Sequence, residues 1–303
     1  MAMKKYLELS RAHFFTAIIT PALLAAALAF RNAGTFNWTR FALVMAGLVT
    51  AHAAANLFND YFDYRLGADT PEVRRTAFSG GSPHLVEGRE REGAFLAMAL
   101  GSLAVCAGCG VAVMVLMGRS FPPALGIGAA GVLIGVFYTA PPLKLAYRGL
   151  GEVAILLAFG VLPVLGVSYV LAEHFTLNAF LASLPPAFLI ADTILINEFP
   201  DLQTDREAGK LTLVARLGSG FSRYVYIVMV VAAYALVVAF SLLEVYGGWG
   251  FLGLAGLPLS LPASAILWRE HDRADKLIPA QAMTILAHLV TGLALAAGIW
   301  IPA

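Results

Sequence analysis

Long apolar runs separated by short polar clusters dominate the 303-residue chain. Nine runs stand out, at about 12–30, 39–57, 94–117, 121–139, 151–172, 177–199, 222–243, 248–268 and 280–300. Each is close to or above the ~20 apolar residues that a helix needs to cross a bilayer core. The strict alternation of a barrel strand is absent, and the runs are about twice too long for one. The pattern therefore predicts an all-α integral membrane protein of about nine transmembrane helices. No connection is long enough for a separate soluble domain, so 1–303 reads as a single transmembrane domain.

Composition sharpens this. Hydrophobic residues make up 59% of the chain and charged residues 13%, against ~25% charged in an ordinary soluble domain. That excludes a soluble enzyme, a disordered chain and a nucleic-acid binder with a broad basic face; the lipid bilayer is the expected partner surface. Lys4 and Lys5 before the first run imitate a secretory leader. The run is long enough to span and eight more follow, which favours an uncleaved first helix. Cys106 and Cys109 form a CxxC inside the third run without other soft metal ligands, and read as small core residues.

Charge placement gives an orientation. Seventeen of the 20 basic residues lie at the N-terminus or in the even-numbered connections; Arg31, Arg40 and Arg119 are the exceptions. Basic residues accumulate on the cytoplasmic side, so the N-terminus is expected inside and, after nine spans, the C-terminus outside. Acidic residues cluster on the same side, with only Glu173 and Glu244 opposite and Asp192 within a span. The positive-inside rule does not account for that clustering.

Two motifs do. The second run ends in Asn56-Leu-Phe-Asn59-Asp60-Tyr-Phe-Asp63-Tyr-Arg65-Leu-Gly67-Ala-Asp69, and the sixth in Asn197-Glu198-Phe-Pro200-Asp201-Leu-Gln-Thr-Asp205-Arg206, followed by Lys210. On helices, Asn56, Asp60 and Asp63 fall within ~60° of one another, and Asn197, Asp201 and Asp205 within ~80°. The equal offsets from Asn56 to Asn197 and from Asp60 to Asp201 imply two related four-helix halves, about 12–139 and 151–268, plus a last helix at 280–300. Four converging carboxylates call for a cation, and Asp and Asn oxygens suit Mg²⁺, which takes phosphate oxygens as further ligands. Nearby Arg65, Arg74, Arg75, Lys144, Arg148, Arg206 and Lys210 suit a diphosphate.

These residues resemble the UbiA superfamily of intramembrane prenyltransferases, whose two Asp-rich motifs follow the second and sixth helices. Asp201–Gly218 (DLQTDREAGKLTLVARLG) is especially similar, as is Tyr138-Thr-Ala-Pro-Pro-Leu-Lys144. The resemblance implies two Mg²⁺ ions held by Asp60, Asp63, Asp201 and Asp205, with a polyprenyl diphosphate bound through them. It makes Asn56 and Asn197 polar partners of metal or diphosphate. Lys144, Lys210, Arg65, Arg206 and Tyr138 are then diphosphate contacts. Ionisation of the allylic C1–O bond would precede attack by an electron-rich hydroxylated aromatic acceptor. The site would open to the cytoplasmic side of the cell (inner) membrane. This chain departs from many members in having Gly67 at the motif's third acidic position, with Asp69 next, and Tyr138-x5-Lys144 in place of Tyr-x3-Lys.

The form NDYFDYRLGADT is most similar to the menaquinone branch, the 1,4-dihydroxy-2-naphthoate prenyltransferases. Another hydroxylated aromatic, or phosphoribosyl transfer to a lipid phosphate, stays open as an alternative. Phe78-Ser-Gly-Gly-Ser-Pro83 is a candidate close-approach loop or a plain turn. Asp192, within the sixth run, and His52, one turn before Asn56, are weaker candidates for acceptor binding or proton transfer, as are Asp69 and Asn197. From another class, a secondary transporter shares repeated halves and broken helices. Its charges would sit near the bilayer midplane, where this chain places only Asp192.

Overall fold

The computed structural model describes residues 2–70, 78 and 81–301. Arg74 and Arg75, and Ser79 and Gly80 of the candidate loop, lie outside the described residues. The nine runs appear as helices α1 (Ala12–Ala33), α2 (Trp38–Leu66), α3 (Glu92–Ser120), α4 (Pro122–Phe137), α5 (Gly151–Ala172), α6 (Leu177–Glu207), α7 (Ser219–Leu242), α8 (Gly250–Glu270) and α9 (Ile278–Trp300). Eight are long and apolar enough to cross a membrane. The exception is α4, whose 16 residues rise only ~24 Å. Among the described residues there is no strand.

Two helices overrun their apolar segments. The Asn37 side chain accepts from the Arg40 N–H at 3.0 Å and starts α2, which runs 29 residues to a left-handed Gly67 (φ 78°). Thr176 Oγ1 accepts from the Ala179 N–H at 3.1 Å and starts α6, which runs 31 residues through Pro185, Pro186 and Pro200. Both rise well over 40 Å, more than a ~30 Å hydrocarbon core needs. The excess turns carry the carboxylates. Three short helices (Ala2–Leu9, Pro83–Val86 and Leu213–Leu217) belong to the same end of the bundle. Leu9 is buried there and Tyr6 Oη shares a 2.7 Å hydrogen bond with Ser102 Oγ.

Helix α6 is the hub. Inside the protein lies 72% of its most apolar window, against 17% for α3, which faces outward along most of its length. The main core joins α1, α5, α6, α7, α8 and α9 through Leu24, Val164, Leu195, Tyr226, Leu267 and Leu295. The first run is thus part of this core. In α5, Leu156–Val161 winds as a π-helix just before Pro163, which cannot donate to Phe159 and so loosens the ladder there. Small residues then bring helices together: a Cβ at Gly160 would lie 2.5 Å from Ala187 Cα, and one at Gly292 would lie 2.1 Å from Thr20 Cγ2.

Two of the three exceptional arginines are clamps at the opposite end. Arg40 Nη1 meets Glu173 Oε1 at 2.5 Å and its Nη2 donates to the Leu116 carbonyl at 2.8 Å, tying α2, α3 and the end of α5. Arg31 Nη2 donates to the Val245 carbonyl at 2.7 Å. Cys106 and Cys109 are free thiols, half-buried.

Because the Gly160 contact is with backbone, Gly160→Val is expected to destabilise the bundle by about 1–3 kcal/mol through overpacking. Gly108→Val, on the open face of α3 with nothing within 4 Å, should leave stability unchanged. Thermal unfolding of both variants in detergent checks the difference.

Candidate active site

A polar pocket of about 100 Å³ lies between the overrunning ends of α2 and α6. Among the described residues Asp63, Asp69, Glu198, Asp201 and Asp205 line it, together with the cations Arg11 and Lys210. Asp63 is heavily bonded: it accepts from Tyr147 Oη at 2.8 Å, Lys210 Nζ at 2.9 Å and Asn59 Nδ2 at 3.1 Å. Lys210 Nζ also lies 3.9 Å from Asp205 Oδ1. Asp60 sits behind this group, fully buried, with Arg11 paired to Oδ1. Its Oδ2 has no hydrogen-bond partner among the described residues.

The cations are held charged. Burial opposes the Lys210 ammonium, but Asp63, Asp205 and Asp69 together push its pKa well above the usual lysine value. Arg11 behaves alike: burial is outweighed by Asp60, Asp69 and Asp63. Burial first, then the Asp63 charge, raises the Tyr147 phenol, so Tyr147 is a donor at any working pH. Burial, then Glu198 and Glu152, does the same for Tyr138.

Local backbone makes the crowding possible. After Gly67 ends α2, the Ala68 N–H bonds the Asp63 carbonyl at 2.9 Å, which folds Asp69 back under the helix. Gly81 (φ 73°) then backs onto Asp69: a Cβ there would fall 2.0 Å from its carboxylate. Gly81 itself is a close approach that only glycine permits.

Of the sequence-selected residues, Asp63, Asp69, Asp201, Asp205, Asn197, Lys210 and Tyr138 line the pocket. Others are placed elsewhere. The Asn56 amide donates to the Ser10 carbonyl at 2.9 Å and tethers the N-terminal segment, while Asn59 takes the pocket-facing position. Arg65 bonds Tyr61 Oη at 2.8 Å and points toward Glu92. Arg206 Nε bonds the Ala215 carbonyl at 2.9 Å, supporting the Leu213–Leu217 turn. Lys144 stands over the Tyr147 ring, 5.4 Å from its centroid, outside the pocket lining. Asp192 is fully buried outside the lining, and neither of its oxygens has a hydrogen-bond partner among the described residues.

A second, apolar cavity of about 420 Å³ lies between α2, α3, α4 and α5. It begins about one turn of α2 beyond the polar pocket: Ala55 lines the cavity and Asn59 the pocket. His52, Cys106 and Cys109 also line it. The His52 ring lies 4.6 Å from that of Phe159 and 5.3 Å from that of Phe15, centroid to centroid.

The pattern of family-specific positions agrees: the UbiA prenyltransferase family model matches residues 18–289. The chain belongs to the UbiA prenyltransferase family. It is 30% identical over 265 residues to the 1,4-dihydroxy-2-naphthoate octaprenyltransferase of Escherichia coli (strain K12), covering 86% of this chain and 83% of that protein. Its fold is similar to the apo structure of a UbiA homolog from Aeropyrum pernix K1, with TM-score 0.71 and 18% identity, covering 95% of this chain and 97% of that one. A UbiA homolog from Archaeoglobus fulgidus bound to GPP and Mg²⁺ is similar at TM-score 0.63 and 16% identity, covering 97% and 99%. The protein is therefore a membrane-embedded prenyltransferase.

For a UbiA-family site, the donor set fits Mg²⁺. Among the described residues five carboxylates and two cations line the pocket, a set rich in hard oxygens, and Asp60 Oδ2 has no hydrogen-bond partner among them. No three acidic, His or Cys side chains among the described residues form a ready cage; Mg²⁺ needs only one or two carboxylates when phosphate and water complete its shell.

Sequence reasoning missed Arg11, Asn59, Glu198 and Tyr147. Asn59 lies within the first motif, and its i, i+4 spacing to Asp63 was a usable signal. Nothing local marks Arg11 or Tyr147, which reach the motifs from distant segments. Replacing Tyr147 by Phe removes a hydrogen bond to a charged group and should lower kcat/KM roughly tenfold or more. Because the phenol does not titrate, the ratio of Tyr147→Phe to wild-type activity should stay constant across neutral and mildly alkaline pH. A pH-dependent ratio would mean that Tyr147 acts as an acid or base.

Proposed function

We propose that the protein transfers a polyprenyl group from a polyprenyl diphosphate to a hydroxylated aromatic acceptor, 1,4-dihydroxy-2-naphthoate, in quinone biosynthesis. The observation that carries this is the acidic pocket with two cations set about one helical turn from a large apolar cavity. One end suits a metal-bound diphosphate and the other an isoprenoid tail. The naphthoate assignment draws support from the form of the first motif and from the Escherichia coli relative.

Asp60, Asp63, Asp201 and Asp205 would hold two Mg²⁺ ions, with Asp69 beside them. When bound, the metal supplies Lewis-acid neutralisation of the charge that develops on the leaving diphosphate. Lys210 and Arg11 add fixed positive charge at the same place, where it acts most strongly as the C1–O bond breaks and its electron pair passes to oxygen. Tyr147 and Asn59 keep Asp63 oriented. The acceptor ring then attacks C1 and a C–C bond forms; the attacked ring carbon loses its carboxyl group as CO2 in the naphthoate, or its proton in an acceptor without a carboxyl there, which restores aromaticity and gives the prenylated quinol. The apolar walls keep water from the allylic cation. Basic-residue placement supports a cytoplasmic opening in the cell (inner) membrane. One catalytic unit of two related halves accounts for the parallel endings of α2 and α6.

The test is product formation by purified protein in nanodiscs, given geranylgeranyl diphosphate and a panel of aromatic acceptors, with Mg²⁺ or EDTA, read by mass spectrometry. A prenylated naphthoquinol is expected only with Mg²⁺. Asp60→Ala and Asp201→Ala should each reduce turnover by ~10²–10³-fold. Product with a different acceptor alone would sink the naphthoate assignment and keep the chemistry; no product with any acceptor would sink both.

A further inference from the structure

Helix α9 carries neither carboxylate motif, yet it reaches the polar pocket. Gln281, in its first turn, is fully buried, and its Nε2 donates to Asn197 Oδ1 at 2.9 Å. Asn197 lines the pocket on α6, one turn before Asp201. The Gln281 oxygen has no hydrogen-bond partner among the described residues. A buried amide with one unmatched oxygen is unfavourable as packing, and an apolar side chain of similar volume would fill the space without that loss. Local rules broken in this way concentrate at functional sites.

The helix that presents Gln281 is pinned along the same face. Thr284 Oγ1 shares a 2.6 Å hydrogen bond with Tyr226 Oη, and Thr291 Oγ1 lies 3.3 Å from Tyr234 Oη, both on α7. Gln281 therefore stands on a fixed base. With its oxygen engaged by Gln281, Asn197 has its N–H groups left for the pocket. That polarity matches an acceptor such as a diphosphate oxygen and is wrong for a metal ion.

We propose that Gln281 is a positioning residue, which holds the Asn197 amide so that its N–H groups bind a diphosphate oxygen of the prenyl substrate. This rests on the reading of the polar pocket as the diphosphate site. It makes the last helix, outside the two related halves, a working part of that site.

The experiment is steady-state kinetics with geranylgeranyl diphosphate, Mg²⁺ and the naphthoate acceptor on wild type, Gln281→Met, Asn197→Ala and the double variant. Gln281→Met should raise KM for the diphosphate about tenfold, the worth of one buried hydrogen bond. The KM of the acceptor, kcat and the melting temperature should hold. The double variant should be no worse than Asn197→Ala alone, because the two side chains act as one unit. An unchanged diphosphate KM in Gln281→Met, or effects that multiply in the double variant, would overturn the proposal. If Gln281→Met does not fold, Gln281→Glu gives the same reading. A carboxylate can only accept, so it turns the Asn197 amide over, and the diphosphate KM should again rise; an unchanged KM overturns the proposal. Wild type that neither binds nor turns over the prenyl diphosphate would remove the pocket reading itself, and this inference with it.

Discussion

Electrostatic crowding at the ends of α2 and α6 sets the terms for this molecule. Five carboxylates face a pocket of about 100 Å³, and a sixth, Asp60, is buried behind them. Buried like charges repel strongly in a medium of low polarity, so the array stands only with compensation. Arg11 pairs with Asp60, and Lys210 bridges Asp63 and Asp205. Many other features serve that arrangement. The N-terminal segment turns through a left-handed Arg11 (φ 54°) to deliver its guanidinium, Asn56 tethers the preceding residue, and Gly81 leaves room for Asp69.

The bundle divides its labour. The helices around α6 form the continuous core, with hydroxyl pairs such as Tyr226–Thr284 holding α7 to α9. On the other side, α3 is largely outward-facing and a cavity of about 420 Å³ remains between α2, α3, α4 and α5. The packed core backs the charged groups, and the apolar space lies beside them. α5 belongs to both, and its π-helical stretch brings Phe159 against His52 on the cavity wall.

Much of this was legible in the chain before any coordinates. Lipid admits no unpaired backbone polar groups, so apolar runs of span length had to become helices, and all nine did, with α4 shorter than its run suggested. Motif spacing on a helix of fixed pitch put Asp63 on the face that lines the pocket and placed Asp201 and Asp205 together on α6. Family membership was readable too, because motif spacing and chemistry are properties of the sequence. What spacing could not reveal is which neighbour each side chain meets. Asn56 and Asn59 are both near the motif's face, and only the passage of Ser10 beside Asn56 assigns one to tethering and the other to the pocket.

Sequence by itself determined the membrane class, the helices, the shared end of the two acidic motifs and the residue types fit for metal and diphosphate. These follow from periodicity and transfer free energy, which act within one segment. Tertiary structure alone decided that Arg11 pairs with Asp60, Tyr147 bonds Asp63 and Gln281 bonds Asn197, while Arg65 and Arg206 serve local supports. A basic residue near an acidic motif carries no mark of its partner. The choice is made by packing, which brings residues 49 to 84 positions apart within hydrogen-bond reach and leaves sequence neighbours facing away.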